Sequence, residues 1–129
     1  MDVLRDEKEL YVVNHALGQG GERIEVFSII TDERPSHLLL PLRLKYLHSV
    51  TSEEINKLAY GAFNAIAVAS PNKFYVTRST SPLPPYGEHS NPLLKMVTDN
   101  LVKPTGVYWI EYNPTTKDIL LKEAALGFA

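Results

Sequence analysis

Four histidines, scattered carboxylates and hydroxyls, and no cysteine set the chemistry open to this chain. His15 closes the run ELYVVNH. An imidazole there is a candidate general base, tuned by a neighbouring carboxylate or by metal-bound water, although a lone histidine at a strand end is more often structural. His37, His48 and His89 are neither i, i+2 nor i, i+4 from one another, so they lack metal-ligand spacing and read as surface histidines. Glu53 and Glu54 follow Thr51-Ser52 and read as first-turn helix charges rather than as a catalytic pair. Ser79, Ser81 and Ser90 have no Gly-X-Ser-X-Gly elbow, which leaves a serine nucleophile unsupported. Gly18-Gln19-Gly20-Gly21 precedes a strand and no Lys-Ser/Thr follows it, so it reads as a hairpin turn rather than a phosphate cradle. Without cysteine there is no disulfide framework, thiolate zinc site or cysteine nucleophile.

The balance of charge and apolar residues narrows the classes further. Thirteen Lys plus Arg against fifteen Asp plus Glu give a net charge of −2. With no basic cluster, the footprint of a nucleic-acid binder is missing. At 129 residues and 44% hydrophobic, the chain is at most one globular domain with some core to bury. The apolar stretches Leu38 to Leu42 and Ala65 to Ala69 fall far short of the roughly 20 residues a membrane helix needs. Asp2, Arg5, Asp6, Glu7, Lys8 and Glu9 stand where a signal peptide would be apolar, so neither a leader nor a span is expected and the compartment stays open.

The elements that must carry these residues are short strands. Glu9 to His15 and Ile24 to Ile30 are rich in β-branched and aromatic residues and flank the glycine turn, predicting a hairpin. Leu38 to Tyr46 predicts a strand, with Pro41 favouring an edge or a bulge. Thr51-Ser52-Glu53-Glu54 followed by INKLAY predicts a short capped helix or a long loop. Ala65 to Ala69 and Phe74 to Thr77 flank Ser70-Pro71-Asn72-Lys73 as a second hairpin, and Val107 to Tyr112 with Ile119 to Glu123 form a third. Between them, Arg78 to Asn91 is a proline-rich loop. A helix of two to three turns, roughly, is expected from Pro92, with Leu93, Leu94, Met96, Val97 and Leu101 as its apolar face.

Seven short strands joined by turns favour a mainly β, antiparallel architecture with one or two short helices. YVV, IAV and VYWI are apolar at successive positions, which predicts strands buried on both faces. Stacked propeller blades bury both faces of each sheet, whereas a small sandwich leaves one wet. At four strands per blade the chain amounts to about two blades.

Three segments in order, LYVVNH (Leu10 to His15), FNAIAVASPNKFYVT (Phe63 to Thr77) and GVYWIEYNPTTKDILLKEAALGFA (Gly106 to Ala129), resemble the serum paraoxonase/arylesterase family. The resemblance implies a calcium-dependent six-bladed β-propeller that hydrolyses aryl esters and lactones, with a calcium pair in its central tunnel. It places His15 on the second histidine of that family's proposed catalytic pair, whose partner lies in a His-Gly-Ile segment this chain lacks. Asn64 takes the position of the asparagine that ligates the catalytic calcium. At the next position the family has an aspartate for the structural calcium and this chain has Ala65. After FYVT the family's Asn-Asp-His is replaced by Arg78-Ser79-Thr80, and the terminal ALGFA stops one residue before the family's next calcium asparagine.

Calcium takes about 6–8 oxygen ligands, usually with carboxylates among them, and one amide does not hold it tightly. Asn64 is equally readable as a residue that satisfies backbone groups at a strand start. The resemblance therefore implies a single partial propeller domain over 1–129, an internal fragment of an ester or lactone hydrolase with incomplete calcium ligation. Alone, it is expected not to turn over substrate. The alternative is a non-catalytic propeller segment acting as an interaction module, open to self-association through exposed blade edges. Gluconolactonase-like and strictosidine synthase-like propellers share the architecture.

Overall fold

A computed structural model describes residues 1–30, 43–80, 82–83, 93 and 105–126. Among these residues eight strands are assigned, β1 (Asp2–Leu4), β2 (Glu9–Asn14), β3 (Arg23–Ile30), β4 (Arg43–Val50), β5 (Phe63–Ser70), β6 (Lys73–Arg78), β7 (Gly106–Tyr112) and β8 (Ile119–Leu126), with the helix α1 (Glu53–Ala59) between β4 and β5. They form two four-stranded antiparallel sheets, β1-β2-β3-β4 and β5-β6-β7-β8, each a meander in which sequence neighbours pair. Neither closes into a barrel. The chain leaves the first sheet at its edge strand β4, crosses through α1, and enters the second at its opposite edge, β5, against which β1 and β2 pack.

The three expected hairpins are present, and each has a local cause. Between β2 and β3, Gly18, Gly20 and Gly21 all take left-handed φ (+75°, +100° and +86°), a conformation that costs glycine little and other residues more. Between β5 and β6 the turn tightens to Pro71-Asn72, with Asn72 at φ +60°, a value asparagine tolerates. Ser52 caps α1, its hydroxyl accepting the Ile55 N–H at 3.1 Å, and Glu53 and Glu54 lie exposed in the first turn.

The core lies between the two sheets and under the helix. Tyr11, Ile24, Val26 and Val50 come from the first sheet, Ile55 and Ala59 from α1, and Phe63, Ile66, Phe74, Val76, Tyr108 and Ile110 from the second. Tyr11 and Phe74 meet across it with ring centroids 5.7 Å apart. Polar bonds also cross the joint: Val68 N–H donates to Asp2 Oδ2 at 2.7 Å, and Asn72 Oδ1 lies 2.9 Å from His48 Nε2.

Several expectations are revised. β1 adds an eighth strand, because Asp2–Leu4 pairs with Glu9–Tyr11 in spite of its charged flank. Of the strand expected at Leu38 to Tyr46, the described part belongs to β4, which continues to Val50 and lies at the sheet edge, with Leu47 bulged out opposite Val26/Phe27. Arg78 is not loop but the last residue of β6, and its guanidinium donates to Leu58 O at 2.9 Å. The rest of the proline-rich segment apart from 79–80 and 82–83, the helix expected from Pro92 apart from Leu93, residues 38–42, and His37 and His89 lie outside the described residues.

Among the described residues no strand is fully buried on both faces, the outer residues of β2 and β7 being half-buried. In β5, Ile66 is buried while Ala65 and Ala67 are exposed, and in β6 Phe74 and Val76 are buried while Tyr75 is exposed. The pleat sends alternate side chains to opposite faces, and among the described residues the outer one is half-buried to exposed. Those outer faces carry Leu44 and Tyr46 on the first sheet, Tyr75 and Leu120 on the second, all more than 40% exposed.

Candidate functional site

Asn14 ends β2, and His15 is the first residue beyond it, followed by the glycine turn that reverses the chain into β3. The last residue of that turn before the strand is Glu22. The reversal brings its carboxylate back to His15, with Nδ1 2.9 Å from Oε2 and 3.0 Å from Oε1. Glu22 is wholly buried, whereas the His15 side chain is 45% exposed. One group of the pair faces solvent and the other is sealed inside.

A buried carboxylate needs donors, because desolvation otherwise penalises its charge heavily. Glu22 has them. Oε2 accepts Gly61 N–H at 2.7 Å and Oε1 accepts Phe63 N–H at 3.3 Å, so the side chain of the first sheet binds the backbone that opens the second. Burial pushes the Glu22 carboxyl above its ordinary range, with the hydrogen bonds from His15, Gly61 and Phe63 opposing that rise.

The Glu22 backbone is held equally firmly. Its N–H donates to Asn56 Oδ1 at 2.8 Å, and its carbonyl accepts Thr51 Oγ1 at 2.8 Å. Asn56, itself buried on α1, donates from Nδ2 to Ser52 O at 3.2 Å and to Gly20 O at 3.4 Å. Tyr60 completes the support by accepting Gly18 N–H on its hydroxyl at 3.1 Å. Among the described residues no buried side-chain nitrogen or oxygen lacks a partner. The glycine turn, α1 and the start of β5 are thus one hydrogen-bonded unit around Glu22.

Asn64 is the second residue of β5, directly after Phe63, whose N–H Glu22 binds. Its side chain is exposed and makes no hydrogen bond to a described residue. Glu22 therefore ties the segment carrying His15 to the segment carrying Asn64. His48, expected at the surface, is half-buried: it lies beside Asn72 and against the Tyr112 ring, centroids 5.0 Å apart.

Calcium is the ion the family resemblance would bring. Beside Asn64 stands Ala65, which offers no side-chain oxygen, and Glu22 already spends both its oxygens on His15 and two backbone donors. No group of three or more histidine or acidic residues converges among the described residues. These residues do not by themselves make a calcium site.

Glu22 and Asn56 escaped the sequence reading. Glu22 looks like one more charge beside a glycine turn, and only its seven-residue spacing from His15 across a hairpin loop hinted that the two could meet. Asn56 carried no signal beyond being a polar residue in a helix. Comparison with family models, with curated proteins and with solved structures returns no match.

Proposed function

We propose that this chain is a two-blade portion of a paraoxonase-like, calcium-dependent β-propeller hydrolase acting on aryl esters or lactones. The observation that carries the reading is the His15–Glu22 pair, set at the end of β2 and bonded to the start of β5, where the sequence resemblance puts a catalytic histidine and a calcium asparagine. Two four-stranded meanders in series, linked from the last strand of one to the first strand of the next, support the blade assignment. So do their uncovered apolar outer faces, which in a propeller would meet neighbouring blades.

In this reading His15 takes a proton from water as the water oxygen bonds to the ester carbonyl carbon. Collapse of the tetrahedral adduct breaks the bond to the leaving oxygen, which takes up the proton and departs as a phenol, or as the hydroxyl end of an opened lactone. The calcium ions belong to the assembled ring, to which this chain contributes Asn64. The other blades come from further sequence or from further copies.

The test is hydrolysis of phenyl acetate and a lactone by the 129-residue chain, in calcium and in chelator, with His15→Ala alongside, and by the same chain joined to the remaining blades of a paraoxonase. The isolated chain is expected to be inactive, and the joined chain to show calcium-dependent turnover that His15→Ala removes. Turnover by the joined chain that is indifferent to His15→Ala would overturn the assignment.

A second reading, a non-catalytic interaction module, is favoured by the exposed aromatic and aliphatic outer faces.

A further inference from the structure

The buried Glu22 carboxylate has a duty that follows from its contacts. An ionised carboxylate only accepts hydrogen bonds, and Glu22 already accepts two backbone N–H groups, one on each oxygen. The third group facing both oxygens is His15 Nδ1, at 2.9 and 3.0 Å. For a neutral imidazole in that position the proton sits on Nδ1, which leaves Nε2 with a free lone pair. Nε2 makes no hydrogen bond to a described residue and belongs to the exposed side of the pair.

We infer that Glu22 is the positioning residue of this site: its carboxylate holds His15 in the Nδ1–H form, with Nε2 presented as the base. The same two oxygens fix Gly61 and Phe63, and with them the start of β5 that carries Asn64. Free histidine favours the opposite tautomer, with the proton on Nε2, so the effect is measurable without any substrate. That Nε2 serves as a base rests on the hydrolase reading; the tautomer does not.

The experiment is nitrogen-15 NMR of the imidazoles in the full 129-residue chain, at a pH about two units above the ordinary imidazole value, with His15 assigned by its loss in His15→Asn. The wild type is expected to show a protonated Nδ1 and an unprotonated Nε2. In Glu22→Gln the populations should shift toward the tautomer of free histidine, and the Gly61 and Phe63 amide protons should move upfield. A wild-type His15 protonated on Nε2 would overturn the inference, and that measurement stands even where Glu22→Gln does not fold. An unchanged tautomer in a folded Glu22→Gln would overturn it as well. Absent hydrolysis in every form, with the Nδ1–H tautomer present, would sink the hydrolase reading and leave Glu22's hold on His15 standing.

Discussion

The Tyr11 hydroxyl accepts the backbone N–H of Asn72 at 2.9 Å while it donates to Glu9 Oε2 at 2.7 Å. Tyr11 belongs to β2 of the first sheet and Asn72 to the β5–β6 turn of the second, so one phenol oxygen ties a strand to the neighbouring sheet's hairpin. Burial pushes this hydroxyl above its ordinary range, with the hydrogen bond from Asn72 opposing that rise.

Tyr11→Phe keeps the ring against Phe74 and removes only the oxygen. The Asn72 N–H then loses its partner, and the cost is expected to be about 1–2 kcal/mol. Urea denaturation of the two proteins checks this; a change below about 0.3 kcal/mol would mean that water replaces the hydroxyl without loss.

Gly21→Ala and Gly18→Ala separate backbone strain from collision. Both glycines have left-handed φ, at +86° and +75°. A Cβ on Gly18 meets nothing within 4 Å, whereas one on Gly21 runs into Asn56 Oδ1 and the Tyr60 ring. Gly18→Ala should cost about 1 kcal/mol, and Gly21→Ala should cost more, because it also drives Asn56 off the Glu22 N–H. Equal thermal-melt shifts in the two variants would contradict the packing around Glu22.

Glu22 makes stability depend on pH in a definite direction. Its folded carboxyl titrates above the ordinary value of 4.5, so between that value and its raised midpoint the folded chain holds more protons than the unfolded one. Stability from this group is therefore greatest at the acidic side and falls as pH rises through the window. Measured against Glu22→Gln, which does not titrate, the wild type should lose relative stability over that interval. A difference that grows with pH would mean that the hydrogen bonds to His15, Gly61 and Phe63 outweigh burial.

The outer faces make a prediction of their own. Tyr46 is 56% exposed and packs edge-on to Phe27, and Tyr75 is 43% exposed beside Trp109. Tyr46→Lys with Tyr75→Lys places charge on both faces while sparing the core between the sheets. Sedimentation should show concentration-dependent association of the wild type that the double variant reduces at least tenfold. A wild type monomeric at all concentrations would remove the support these faces give to neighbouring blades or copies.

Local chemistry made much of this protein readable. Gly18-Gln19-Gly20-Gly21, Pro71-Asn72 and the segment after Tyr112 announce three hairpins because each supplies the unusual φ or the turn chemistry that a reversal needs. Ser52 with Glu53 and Glu54 announces α1, because an orphaned helix N-terminus takes a hydroxyl and negative charge wherever it stands. His15 stood out because its type and its place after an apolar strand are both visible along the chain. What the linear pattern could not carry is anything that depends on which side of a strand finds a partner. YVV, IAV and VYWI promised two buried faces, and only the packing of one sheet on the other decided that one face is fully buried while the other is half-buried or exposed. β1 exists because β2 offers it a register, not because Asp2–Leu4 prefers to be extended. The fate of Glu22 was decided in the same way. Its burial comes from the glycine turn folding back under α1, and its partners lie 7, 39 and 41 residues away, a convergence created only when the two sheets meet.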